Sequence, residues 1–248
     1  MFNFSIVFLF NHFFQVKSAV LSAFANGRPT AVVFDSGASQ TSAVPVFDGY
    51  VVKNAIVRSS VGSEFVAKLC KRYLTSQNIE IVPSYMVASK ETVAKNQPPK
   101  WTKKANLPFV TSSWHLHMEN ELLQDFQASV LQILDEPFTK EAVDGVPFTP
   151  YEFPTGFNRE FGDERYTIGE VLFNPSFDKS RSQEITQNMS DILYKSVGMC
   201  DIDTRAALYG SVVVSGGNTL LTGFNDRLSA DVTKKIPPVI RILFKLFE

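Results

Sequence analysis

The chain has 248 residues, 44% of them hydrophobic and 20% charged, with a formal net charge of −1. That length allows a substantial core, and the composition is ordinary for a globular protein. The near-zero charge excludes a global field favouring nucleic acid or an anionic membrane, and two cysteines in no ligand spacing, Cys70 and Cys200, point to a reducing compartment.

Met1 to Phe14 is rich in Phe, Ile, Val and Leu but is interrupted by Asn3, Ser5, Asn11 and His12. A bilayer span takes about 20 apolar residues, and a secretory leader wants an early basic residue, whereas the first here is Lys17. The run reads as a buried strand or an abnormal chain start, and no membrane partner is expected. From Ala31 to Phe34 the pattern is a strand, Asp35-Ser36-Gly37 a tight turn, and Gln40 to Phe47 a second strand. Asp48-Gly49 is a hairpin signal, after which Tyr50 to Val57 reads as a third strand. Glu64 to Leu74 has helical spacing. Ser89 is placed to cap a short helix opening with Lys90-Glu91.

Asn96 to Pro108 reads as a solvated linker, with Pro98, Pro99 and Pro108 around Lys100, Trp101, Lys103 and Lys104. Trp114, Met118, Leu122, Phe126, Val130 and Leu134 recur every four residues, the spacing of a packed helix stripe. Pro137 to Pro154 is loop-rich. Gln183 to Val197 reads as an amphipathic helix, Tyr209 to Ser215 as a buried strand, and Leu220 to Lys234 as a helix opening on a glycine turn. His12, His115 and His117 have no carboxylate or cysteine cluster around them in sequence, so packing or surface roles are expected.

Two turns carry the chemistry. Val32-Val33-Phe34 runs into Asp35-Ser36-Gly37-Ala38-Ser39, and Val212-Val213-Val214 runs into Ser215-Gly216-Gly217-Asn218-Thr219. A β-branched run without alternation predicts a strand covered on both faces. Glycine at its end lets backbone N–H groups face a phosphate or ribose, and a carboxylate such as Asp35 suits a hydrated metal beside it. Two such turns, far apart in sequence, predict a nucleotide held between two lobes.

The same residues resemble the actin family. Asp35-Ser36-Gly37 with Val44-Pro45-Val46 and Asp48-Gly49-Tyr50 resembles its second phosphate loop and hairpin. Leu172 to Phe177, Cys200 to Arg205 and Ser215 to Thr219 resemble later actin segments in the same order. Ala19 to Arg28, Ile79 to Pro83, Ala88 to Glu91 and Gln124 to Gln132 resemble, within that family, the nuclear actin-related subunits of BAF (SWI/SNF-type) chromatin remodellers. The resemblance implies an α/β, actin-like fold of the actin, sugar-kinase and chaperone ATPase superfamily. The similarity spans residues 13–243, with 1–12 and 244–248 unmatched. The family's first phosphate loop and its Trp-Ile-Gly-Gly run find no counterpart here. What is expected is therefore roughly the second lobe, subdomains three and four, with the first lobe largely missing.

Carried over by motif, Asp35 would hold Mg²⁺ through water, and the backbone at Gly37 and Ser39 would face phosphate. Lys90 and Glu91 would flank adenine and ribose, and Gly216, Gly217, Asn218 and Leu220 would lie beneath the base. The resemblance implies ATP and Mg²⁺ as ligands, but a half-missing cradle argues against their retention by this chain, because affinity depends on a preformed site. Ser18 and Ser42 stand at the glutamine and histidine positions that orient water in actin, and Ala38 stands in place of an aspartate. Short hydroxyls cannot reach where an amide or imidazole did, so no catalytic residue and no efficient hydrolysis are expected. The implied function is a non-catalytic subunit of nuclear remodelling and histone acetyltransferase complexes. Its implied partners are actin, a helical scaffold segment of a remodelling ATPase and other remodeller subunits, with no direct sequence-specific nucleic-acid binding. The alternatives are a nucleotide-dependent ATPase or phosphotransferase of the same superfamily, or a truncated product that does not assemble.

Overall fold

The computed structural model describes residues 15–177, 187–238, 240 and 242–246. The apolar run at 1–14 and the first residues of the helix expected from Gln183 lie outside the described residues. In chain order the elements are α1 (Ser18–Ala25), β1 (Ala31–Ser36), β2 (Thr41–Phe47), β3 (Tyr50–Val51), β4 (Val57–Ser59) and α2 (Ser63–Ser76). Then come β5 (Val87–Lys90), β6 (Trp101–Lys103), α3 (Ser112–Val130), β7 (Thr149–Glu152), β8 (Asn158–Phe161) and α4 (Glu164–Glu170). The last are α5 (Met189–Gly198), α6 (Ile202–Tyr209), β9 (Val212–Ser215), α7 (Phe224–Thr233) and β10 (Phe244–Leu246).

One mixed sheet organises the molecule, in the order β10-β9-β1-β2-β3, with β4 also paired to β2. β10, β9 and β1 run parallel, whereas β2 is antiparallel to β1, β3 and β4. The unalternating valine runs of β1 and β9 follow from burial on both faces. Val32, Phe34, Val212 and Val214 face the main core, while Ala31, Val33 and Val213 pack with Ala19, Val20 and Ala23 of α1. A strand with no wet face has no use for a polar alternation.

Two local expectations are corrected by long-range partners. The third strand is not continuous from Tyr50 to Val57: a 3-10 turn at Lys53–Ala55 divides it into β3 and β4. The buried Ser196 hydroxyl of α5 reaches into this break, 2.7 Å from the Ala55 carbonyl oxygen and 3.3 Å from that of Ala43. Nor does Ser89 cap a helix. It lies in β5, its hydroxyl 2.6 Å from that of Thr102, and Lys90 pairs with Trp101. The segment read as a linker thus supplies β6, and hairpin pairing overrides the local capping preference.

The four-residue stripe forms α3, which ends at Val130, so Leu134 lies beyond it. Leu122, Phe126 and Val130 are buried, whereas Trp114 lies near the solvent-exposed N-terminus of the helix. Phe126 sits among Tyr151, Phe153 and Phe161, with ring centroids 5.2, 6.1 and 5.0 Å away. A buried aromatic cluster of this kind locks α3 onto the β7–β8 hairpin. Arg227 of α7 makes a bidentate pair with Glu170 of α4, both bonds 2.8 Å, and its Nε donates to Asp231 at 2.9 Å. Burial lowers the Arg227 pKa, but the two carboxylates outweigh it and hold the net value above the usual one.

Candidate functional site

The two glycine turns leave the same end of the same sheet. β1 and β9 are parallel and in register, Asp35 opposite Ser215. The two turns, far apart in sequence, are neighbours on one sheet, brought together by strand pairing that no local pattern reveals. Gly216 closes the gap between them. Its φ is +97°, and a Cβ there would lie 2.3 Å from the Ser36 carbonyl oxygen and 2.8 Å from Asp35 Oδ1. Only a residue without a side chain permits this approach.

A directed hydrogen-bond chain fixes the junction. Thr41 Oγ1 donates to the Val61 carbonyl at 2.7 Å, which commits its single proton. Ser36 Oγ, 2.9 Å from Thr41 Oγ1, must therefore be the donor in that contact. Ser36 in turn accepts from Asn218 Nδ2 at 3.0 Å, and the same amide donates to the Gly37 carbonyl at 3.1 Å. Ser36, Thr41 and Asn218 are all buried. Asn218 thereby ties together turns 181 positions apart in sequence.

The first loop is also held from the side of α2. The amides of Ser63 and Glu64 donate to the carbonyls of Gly37 and Ala38 at 3.1 and 2.9 Å, spending orphan donors of the helix N-terminus. Gly62 makes this contact possible, since a Cβ there would sit 2.3 Å from the Ala38 carbonyl oxygen. The Gly37 amide donates within the loop, to the Gln40 carbonyl at 3.0 Å. Among the described residues the amides of Ala38 and Ser39 have no protein partner, and both residues are exposed, as is Asp35. Unpaired N–H groups beside a free carboxylate fit one side of a magnesium–phosphate group.

The structure therefore brings Asp35, Gly37, Ser39, Gly216, Gly217 and Asn218 to one end of the sheet. Gly217 is exposed, and a Cβ there would meet nothing within 4 Å. Leu220 closes the 3-10 turn Gly217–Leu220 and is 80% exposed. Lys90 and Glu91 belong to the β5–β6 hairpin, where their ionic partners are Glu152 at 2.5 Å and Lys100 at 3.7 Å. Ser18 opens α1 and Ser42 pairs with Asp35 across β1 and β2. Gly62, Ser36 and Thr41 were missed in sequence. Gly62 announces a helix start, but nothing local says which loop that start closes on. Among the described residues no group of three or more His, Cys, Asp and Glu is arranged to hold a metal, and no helix is long and apolar enough to cross a membrane.

These features define a mixed α/β domain whose paired strand-tip turns sit beside an exposed carboxylate. The actin family model matches residues 7–245, and the chain belongs to that family. It has the actin fold, with mixed α/β content. Among its relatives are the SWI/SNF and RSC complexes subunit arp42 of Schizosaccharomyces pombe, 32% identical over 237 residues, covering 90% of this chain and 56% of the relative. Actin-related protein 4 of Yarrowia lipolytica is 34% identical over 226 residues, covering 90% and 52%. Actin-related protein 4 of Arabidopsis thaliana is 30% identical over 237 residues, covering 92% and 53%. The chain spans about half the length of the curated relatives it matches.

Proposed function

We propose that the chain serves as a non-catalytic, actin-related subunit of nuclear chromatin-remodelling and histone acetyltransferase complexes. The observation that carries this reading is similarity along 90% of the chain to a protein named as a SWI/SNF and RSC complexes subunit. In this reading the chain pairs with actin on a helical scaffold segment of the remodelling ATPase, and it meets chromatin through its partners. The net charge of −1 agrees with the absence of direct DNA binding.

The half-missing cradle argues against tight retention of ATP with Mg²⁺ by this chain alone, so the pair is proposed only as a structural ligand and not as a substrate. Asp35 would hold the hydrated ion, the loop from Gly37 to Ser39 the phosphate, and Gly216, Gly217, Asn218 and Leu220 the base, with Lys90 and Glu91 beside base and ribose. When bound, the group would supply charge and acceptor oxygens for the loop amides. Ser18 and Ser42, too short to position an attacking water, favour a holding role over turnover.

Co-expression with actin and a remodeller scaffold helix, followed by size-exclusion chromatography, tests the assembly reading. Stoichiometric co-elution is expected, and actin eluting alone would overturn it. Phosphate release that is fast and abolished by Asp35→Ala would replace the non-catalytic reading with that of an ATPase.

A further inference from the structure

Among the described residues two arginines are buried, and only one of them has a counter-charge. Arg227 is held by Glu170 and Asp231, whereas Arg165 of α4, 3% exposed, pairs with no carboxylate among the described residues. Its acceptors are all neutral. Nη1 donates to the Thr149 hydroxyl, and Nη2 donates to the Pro147 carbonyl at 2.8 Å and to Tyr166 Oη at 2.9 Å. Nε is buried without a partner, and the guanidinium carbon lies 4.7 Å from the centre of the Tyr166 ring. A buried cation left with neutral partners is costly, and a hydrogen bond from it to an anion is about twice as strong as one to a hydroxyl.

Thr149 places a hydroxyl where that anion is wanted. It opens β7, and its Oγ1 accepts from Arg165 while its own proton has no acceptor among the described residues. Thr149-Pro150 is the only Ser-Pro or Thr-Pro pair in the sequence, and Pro147 stands two positions before it. A hydroxyl followed by proline is the unit that proline-directed protein kinases accept, and the proline also holds the residue before it extended. Asp144, Gly145, Pro147, Phe148 and Pro150 are exposed and Thr149 is half-buried, so the segment is open to such an enzyme. Beside it lies a cleft of about 750 Å³, bordered by Pro147 and Phe148, with room for a phosphate group.

We propose that Thr149 is the acceptor for a proline-directed protein kinase, and that Arg165 receives the resulting phosphate. In the transfer the bond from the γ-phosphorus of ATP to its bridging oxygen breaks, a bond from that phosphorus to Thr149 Oγ1 forms, and ADP leaves. The hydroxyl proton passes to the catalytic carboxylate of the kinase. The phosphate gains charge-assisted bonds to Arg165 and so ties the entry of the β7–β8 hairpin more firmly to α4. Lys140 lines the neighbouring cleft, but so do Glu141, Asp144 and Asp163, so a phosphate turned away from Arg165 would meet a net excess of like charge. The proposal rests neither on nucleotide binding at the glycine turns nor on assembly into a complex.

The test incubates the full chain with a mitogen-activated protein kinase and ATP and maps the product by mass spectrometry. Thr149 is expected to carry a phosphate, and to lose it in Pro150→Ala. Phosphorus NMR then follows the second ionisation of the phosphothreonine, ordinarily at ~6. Beside Arg165 the dianion is favoured, so the midpoint is expected below that value and should rise in Arg165→Gln. Arg165→Lys, which keeps the charge but loses the planar fork, stands in if that variant does not fold, and a smaller rise is expected from it. A Thr149 left unmodified, or modified equally in Pro150→Ala, overturns the proposal. So does a midpoint at or above ~6, or one indifferent to the residue at position 165.

Discussion

Replacing Gly216 by alanine is expected to separate the two glycine turns. The residue sits at φ +97° and ψ 153°, a region open essentially to glycine alone. Forcing a side chain there costs about 1–3 kcal/mol. The added Cβ would also lie 2.3 Å from the Ser36 carbonyl oxygen, a backbone atom that cannot rotate away. The shift this demands adds another ~1–3 kcal/mol, by analogy with overpacked cores. The sum, about 2–6 kcal/mol, is a large share of the roughly 5–15 kcal/mol that holds a typical domain folded. With a urea dependence near ~3 kcal/mol/M, the unfolding midpoint should fall by roughly 0.7–2 M. Gly217→Ala is the internal control, because a Cβ there meets nothing within 4 Å and its φ is not positive. That variant should change stability by about 0.5 kcal/mol or less. Equal midpoints for the two variants would refute the argument from close approach.

Asn218→Ala removes both bonds between the turns and leaves the Gly37 carbonyl without that donor, so a loss of about 1–3 kcal/mol is expected in thermal or urea unfolding. Arg227→Met strands the buried Glu170 carboxylate and should cost about 3–5 kcal/mol, much of it recovered in the Arg227→Met, Glu170→Met double variant. Burial, and then the neighbouring Tyr194, push the Tyr209 hydroxyl up to about 12. The unfolded chain sheds that proton near pH 10 and the folded chain keeps it longer, so this contribution is intact below pH 10 and lost as pH rises towards 12. Tyr209→Phe should flatten that alkaline decline in denaturant titrations. Burial also raises the Cys70 and Cys200 thiols, so a thiol reagent at neutral pH should label neither until denaturant is added.

The valine runs, the turn at Asp35-Ser36-Gly37 and the helices α2 and α3 were legible because each rests on local pattern: β-branched residues, glycine, or apolar spacing. The helix expected from Leu220 on the Gly216-Gly217 turn is corrected: that turn continues as a short 3-10 turn, and α7 opens only at Phe224, on Gly223. Family membership was legible for a different reason, since its words stand in order along the chain. The break between β3 and β4 was not. It depends on Ser196, more than a hundred positions later, reaching the Ala43 and Ala55 carbonyls. The β5–β6 hairpin was hidden too, because Ser89 satisfies a capping rule locally and its true partner, Thr102, lies across a proline-rich loop.

The candidate site divides in the same way. Sequence alone determined that two glycine turns follow two doubly buried strands, because residue type sets both the need for burial and the freedom of the turn. Only the tertiary structure decided that these turns touch. Parallel pairing of β1 with β9 places Asp35 opposite Ser215, and the missing Cβ of Gly216 lets the second turn settle against the Ser36 carbonyl. A backbone contact between segments so far apart leaves no periodicity in the chain. It exists only once the sheet has formed.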